Sequence, residues 1–316
     1  MSLNKSLACV SAFGRSDYTP LRLADAVNEN MVGALSKNGF DDIASSEASI
    51  LGAAHQAVDR CLAGAMAAKT AVSALIFCSE SFWDVETPFE QSPWLKLRDG
   101  VVEAAALDWG LSRAQVFGQW MSACSNFIAA LRLAWSMVVA EPQSHVLIVL
   151  CDRVRPNAGR LMVNRSTVLG DMACAMLVSG AGALRFHKPV SYPLTEGLAA
   201  KRAGNLLLQS RALTASIETA VEHACEAADC TLADVAALIC DNFRTDFFEA
   251  SLGRRGLQLL KPLTPTRTRF GHAFSADIPL SLQDMVETSS LPAGKPILLL
   301  NIGPSSVGAS VAQLDR

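Results

Sequence analysis

The chain has 316 residues and a mass of 33.6 kDa, enough for one large domain or two fused halves of about 150 residues each. Half of the residues are apolar, 18% are charged and the mean hydropathy is +0.26, which excludes a disordered, collagen-like or low-complexity chain. Lys plus Arg number 27 and Asp plus Glu 30, a net charge of −3 with no block of like charges, so nucleic-acid binding through a basic face is not expected. The longest membrane candidate, residues 64–78, is short and carries Lys69, and the first ten residues hold no apolar signal core. A cytoplasmic protein without a membrane-spanning helix or signal peptide is expected.

In chain order, a strand is predicted over 6–12 and a helical region over 21–36. Residues 47–67 place Ile50, Ala53, Ala54, Ala57, Val58, Cys61 and Leu62 at helical spacing. Residues 74–78 read as a buried strand. Residues 79–100, with Trp83, Pro88, Pro93 and Trp94, show no clear period and read as a long loop. A short helix follows over 101–111, then a strand over 114–123. The helix over 126–140 is apolar almost all round, which predicts burial on nearly every side. Strands are expected over 145–151 and, as a pair or a bulged strand, over 167–178.

The second half repeats the theme. Helices are predicted over 213–227, 245–252 and 275–288, and strands over 235–240, 296–302 and 307–313. Buried apolar strands alternating with helices mean α/β layers, with helices covering the sheets. Gly and Pro cluster over 180–189, midway along the chain, and no flexible linker separates the halves.

The nine cysteines are odd in number, contain no C-x-x-C pair and mostly sit in apolar runs, which argues against a disulfide framework or a zinc site. Four of the five histidines, His55, His145, His187 and His223, lie on ordinary helix faces, at a strand start or in polar sequence. None is spaced as a metal ligand, so no metal is expected. No phosphate-binding loop or dinucleotide motif occurs, and no cofactor is expected. Cys124 differs from the other cysteines. It stands where the 114–123 strand runs into the buried helix, and helix-start amides favour a thiolate and hold an oxyanion.

The segment Ser122-Ala123-Cys124-Ser125-Asn126-Phe127 resembles the nucleophile segment of β-ketoacyl-ACP synthase III and its thiolase-fold relatives. Four further segments are similar to motifs of that family, in the same order: 43–49, 168–175, 270–280 and 301–309. The resemblance spans residues 5–315 and implies a thiolase fold. Its two pseudo-duplicated halves, 1–183 with the nucleophile and 184–316 with the remaining site residues, would form five α-β-α-β-α layers.

The family uses a Cys-His-Asn set for decarboxylative condensation. Here the histidine position holds Asp241 and the asparagine position holds His272. A carboxylate about 5 Å from a malonyl carboxylate repels it by roughly 3 kcal/mol at an effective dielectric near 20. A histidine beside an aspartate is instead a general base with a fixed tautomer. The exchange is similar to a branch that moves acyl groups without condensation, in antibiotic pathways.

The resemblance therefore implies an acyltransferase of secondary-metabolite or fatty-acid-derived metabolism. Cys124 would be acylated from a CoA or acyl-carrier-protein thioester, His272 would deprotonate a hydroxyl or amine acceptor, and Asp241 would orient His272, with Asp277 the rival carboxylate. Backbone amides of Cys124, Gly303 and Ser305 would hold the oxyanion, and Phe82, Trp83, Trp94 and Phe274 would line the acyl pocket. Residues 28–37 lack the Trp and Arg that grip CoA adenine in the family, which favours a carrier-protein donor; Lys37, Arg202 and Arg211 are candidate carrier contacts. A homodimer through residues 116–120 is implied. The alternatives are a carbon–carbon bond-forming synthase and a catalytically silent subunit of a heterodimer.

Overall fold

The computed structural model describes residues 8–65, 71–84, 92–162, 165–251, 260 and 262–315. Its strands are β1 (Ala8–Arg15), β2 (Thr19–Arg22), β3 (Asp42–Ser45), β4 (Val72–Cys78), β5 (Gln115–Gln119), β6 (His145–Asp152), β7 (Met172–Ser179), β8 (Leu184–Phe186), β9 (Val190–Pro193), β10 (Ala237–Cys240), β11 (Pro262–Leu263), β12 (Pro296–Ile302) and β13 (Ser306–Leu314). Its helices are α1 (Leu23–Ala26), α2 (Glu29–Ser36), α3 (Ile50–Ala63), α4 (Pro93–Glu103), α5 (Asn126–Ala140), α6 (Thr195–Arg202), α7 (Leu206–Ala228), α8 (Thr245–Ser251), α9 (Arg267–Phe270) and α10 (Asp277–Glu287).

The strands carry the layering in their alternation, because successive side chains point to opposite faces. In β4, Ala74, Ile76 and Cys78 face a central core while Leu75 and Phe77 face an outer one. In β12, Ile297 and Leu299 face the same central core, and Leu298 and Leu300 face a second outer core. The central core also holds the apolar faces of α5 and α10. The first outer core is closed by α3 and α4, and the second by α7. The sequence of layers is thus helix, sheet, helix, sheet, helix.

Eleven strands join in one hydrogen-bonded sheet in the order β11-β10-β12-β13-β8-β1-β7-β6-β4-β5, with β9 on β13. The short β8, inside the Gly/Pro cluster at mid-chain, pairs with both β1 and β13 and bridges the two halves. Among the described residues, one stretch, Ala123–Ala140, is long and apolar enough to cross a membrane, a length the sequence reading did not assign. Its α5 portion packs in the central layer beside α10.

Several elements differ from the sequence reading. The expected loop over 79–100 contains α4, which begins at Pro93. A proline at the first helical position removes an amide that has no partner there, so it starts a helix as readily as it breaks one. The expected helix over 101–111 is the end of α4 and a π-helical turn, Ala104–Asp108. Of residues 167–178, only the part from Met172 is a strand; Val168 and Leu169 make isolated bridges to Leu161 and His272.

Candidate active site

Cys124 lies in a 3-10 turn, Ala123–Ser125, directly ahead of α5. The turn is held at several points. Asn126 Oδ1 accepts from the Ser122 amide at 3.0 Å, and the Ser125 hydroxyl donates to the Ser122 carbonyl at 2.7 Å. Ala123 has φ +52°, a left-handed conformation that strains a non-glycine residue by about 1–3 kcal/mol and is tolerated where the surroundings fix it. Gly303 is packed against the same turn. A Cβ there would stand 2.5 Å from the Ser122 carbonyl and 2.7 Å from the Ser125 hydroxyl.

His272 is held by its own backbone. Its amide donates to the Val168 carbonyl at 2.8 Å, and its carbonyl accepts from the Gly170 amide at 2.9 Å. The chain passes so close that a Cβ on Gly170 would lie 1.9 Å from the Phe270 carbonyl oxygen. The imidazole lies between Phe243 and Phe274, with centroids 4.9 and 6.0 Å away. Its Nε2 is 3.3 Å from Cys124 Sγ.

Its Nδ1 bonds the carboxylate of Asp277, not that of Asp241. The 3-10 turn Phe274–Ala276 folds the chain back, so the first residue of α10 reaches His272. Asp277 also accepts from the Ala273 amide at 2.7 Å, the Asn242 amide at 2.7 Å and Asn242 Nδ2 at 3.2 Å. All three side chains, Cys124, His272 and Asp277, are buried.

The register of two strands explains why Asp241 points elsewhere. Parallel pairing sets Cys240 beside Leu300, so Asp241 comes beside Asn301. Its carboxyl accepts from Asn301 Nδ2 and from the Ile302 amide at 2.6 Å. Burial, then the charge of Asp277, pushes it well above the usual carboxylate range. Asp241 secures the start of the Gly303 loop and does not touch His272.

The remaining expected site residues divide. The Gly303 amide donates to the Ser306 carbonyl at 2.9 Å, so it is committed to the loop and unavailable to an oxyanion. The Ser305 hydroxyl donates to the Met121 carbonyl at 3.0 Å. A cavity of about 490 Å³ reaches Cys124, with Leu194, Leu198, Leu213, Phe243, Phe247 and Ile302 in its wall and Lys201 and Gln209 among its polar groups. None of Phe82, Trp83, Trp94 and Phe274 lines it. Phe82 and Trp94 line a separate cavity of about 340 Å³ with Trp120. Trp83 lies under the guanidinium groups of Arg153 and Arg155, and Phe274 packs on His272.

The sequence reading missed Asn242 and Phe243, which immediately follow Asp241 in the segment it singled out; their polar and aromatic character was the available signal. It also expected the helix start to favour a Cys124 thiolate. Instead, burial pushes the thiol well above its ordinary value, helped by Glu80, Asp241, Asp277 and Asp152. Cys124 thus rests as a thiol, with His272 Nε2 as its hydrogen-bond partner.

The layered architecture as a whole has counterparts among solved structures. The structure superimposes on "ChlB3", described as an acyltransferase, with TM-score 0.81, 16% identity and 98% of each chain covered. The chain has the thiolase fold.

Other structures with this fold include a priming β-ketosynthase of a polyketide biosynthetic pathway, at TM-score 0.72 and 18% identity over 98% of this chain and 97% of that one. Another is the β-ketoacyl-(acyl carrier protein) synthase III of Thermus thermophilus, at TM-score 0.71 and 19% identity over 96% and 98%. Residues 225–313 match the family of the 3-oxoacyl-(acyl-carrier-protein) synthase III C terminal. No curated protein matches the sequence. Within the thiolase fold, the matched segment runs from the end of α7 to the last strand and carries both His272 and Asp277.

Proposed function

We propose that the protein is an acyltransferase that moves an acyl group from a CoA or carrier-protein thioester, through Cys124, to a hydroxyl or amine acceptor. The observation that carries this reading is the buried relay Cys124–His272–Asp277, with Sγ to Nε2 at 3.3 Å and Nδ1 on a carboxylate. It is an arrangement for moving a proton.

In the first half-reaction, His272 Nε2 takes the thiol proton as Sγ attacks the thioester carbonyl. The Cys124 amide is the assigned oxyanion donor. The intermediate collapses, the donor's carbon–sulfur bond breaks, and the imidazolium returns the proton to the departing thiolate. In the second half-reaction, His272 takes the acceptor proton. The acceptor attacks the acyl carbonyl, and the Cys124 sulfur leaves and recovers the proton. Asp277 keeps the Nδ1 proton in place and stabilises the imidazolium formed in both halves.

The charges that act on the thiol are those of carboxyls, not cations, which favours transfer over decarboxylative condensation because a malonyl carboxylate would be repelled. The apolar cavity suits an acyl or pantetheine chain. Lys201 in its wall, with exposed Leu206, Leu207 and Leu208 at the start of α7, supports a carrier-protein donor docking there. The similarity to ChlB3 and to a polyketide priming synthase supports a role in polyketide or related metabolism.

The test is to load the enzyme with acyl thioesters and measure both the adduct and carbon dioxide. An acyl adduct discharged by a hydroxyl or amine, with no carbon dioxide released from a malonyl thioester, supports transfer. Carbon dioxide release coupled to a β-ketoacyl product would instead establish condensation.

A further inference from the structure

A second carboxyl group, outside the relay, lies at the same edge of the sheet as Cys124. The parallel strands β5, β4 and β6 are neighbours and end together: Cys78 pairs with Gln119 on one side and with Leu150 on the other. Glu80 and Cys124 follow the ends of β4 and β5, and Asp152 is the last residue of β6. The crevice beyond the carboxyl ends of parallel strands is where ligands collect.

Asp152 is buried, and its Oδ1 accepts from the Glu80 amide at 2.7 Å and from the hydroxyls of Ser79 at 3.2 Å and Ser81 at 3.0 Å. These bonds fix the backbone at Glu80. The Glu80 residue is itself half-buried. Asp277 accepts hydrogen bonds at both carboxylate oxygens, Asp152 accepts three at Oδ1, and Asp241 is held by Asn301 and Ile302. Among the described residues, no side chain donates a hydrogen bond to the Glu80 carboxyl and no cation is paired with it. After burial, the charge of Glu80 acts with those of Asp241, Asp277 and Asp152 to raise the Cys124 thiol.

We propose that Glu80 is a charge filter at Cys124, the specificity-determining residue that admits neutral acyl groups and turns away acyl chains carrying a second carboxylate. This rests on the Cys124 acyl-enzyme reading and names its donor class. At a separation of about 6–8 Å, a carboxylate at the end of an acyl chain on Cys124 would be repelled by Glu80 enough to lower occupancy at least about ten-fold at an effective dielectric near 20. Burial, with repulsion from Asp152, pushes the Glu80 carboxyl up to about 7, so the filter is assayed at pH 8, where this carboxyl is mostly ionised.

The test compares iodoacetate with iodoacetamide. Both place a carbon on the Cys124 sulfur and release iodide, and they differ in charge. Rates are read at the Cys124 peptide by mass spectrometry and divided by those of glutathione. Glu80→Gln should raise the iodoacetate-to-iodoacetamide ratio about ten-fold. Glu80→Ser, which removes both charge and chain, should give the same shift, and Glu80→Asp should stay near wild type. A succinyl thioester should gain in loading against a butyryl thioester in the same order. An unchanged alkylation ratio in the Gln and Ser variants would overturn the filter. A shifted ratio in an enzyme that no thioester acylates would keep the filter and overturn the acyl-enzyme reading instead.

Discussion

The imidazole of His272 is oriented by Asp277, five residues further along the chain, through a hydrogen bond from Nδ1 to a fully buried carboxylate. The relay is therefore local on its base side. One turn and the first residue of one helix supply both the proposed base and its hydrogen-bond partner, while Cys124, the proposed nucleophile, comes from the other half of the fold. Asn242, just past β10, ties the two ends of this segment together by donating to both Asp277 and the Gly271 carbonyl.

This geometry separates the two aspartates experimentally. Asp277→Asn should lower acyl transfer by roughly 10²–10⁴-fold, because the imidazole loses the partner that fixes its tautomer. Asp241→Asn should change the rate by less than about ten-fold. It should lower Tm by about 2–4 °C, the effect of roughly 1 kcal/mol lost from a buried hydrogen-bonded site in a chain of this size. Rates and melting curves of both variants check this. A rate collapse in Asp241→Asn with an intact Tm would return the orienting role to Asp241.

His272→Ala should block loading as well as discharge. Burial and nearby carboxyls raise the Cys124 thiol well above its ordinary value, so the thiolate fraction grows only as pH climbs above that of a free cysteine. Without Nε2, iodoacetamide labelling of Cys124 should stay slow at pH 8 and accelerate only above pH 9. Labelling as fast as wild type at pH 8 would mean that the thiol ionises without the imidazole.

How much of this was legible in the sequence depended on whether the signal was local. The buried strands β4, β6 and β12 announce themselves as apolar runs, and α5 as a helix apolar all round, because burial on both sides leaves no polar stripe. The Cys124 position was legible for the same reason, as a strand meeting that helix. The choice between Asp241 and Asp277 was not, since it depends on the pairing of β10 with β12 and on a 3-10 turn, neither of which has a sequence period. The committed Gly303 amide was hidden likewise, being set by the tight loop into β13. Glu80 fell inside the stretch 79–100 expected to be a loop and Asp152 just past the expected strand over 145–151, and neither was singled out, because only the side-by-side pairing of β5, β4 and β6 brings them to one edge.

Gly303→Ala tests the contact between the two loops. The added methyl group would meet the Ser122 carbonyl and Ser125 hydroxyl well inside van der Waals distance, a strain of about 1–3 kcal/mol. The nucleophile turn should shift, with acyl loading reduced and Tm lowered. Normal loading and stability in this variant would show that the loop has room the structure does not reveal.

The edge of the sheet carries a prediction about assembly. β5 is the terminal strand of the sheet and presents half-exposed Val116 and Phe117 beside Gly118. Pairing of this edge with a second copy would extend the sheet across a two-fold axis. Light scattering at micromolar concentration should give about twice the chain mass of 33.6 kDa. A monomer would remove the homodimer from the account.

Intact-protein mass spectrometry tests the central claim most directly. Wild type and Cys124→Ala are incubated with a panel of neutral acyl thioesters, then offered hydroxyl and amine acceptors. The account predicts a mass gain of one acyl group on the wild type alone, lost again when an acceptor is supplied. An equal gain on Cys124→Ala would contradict it.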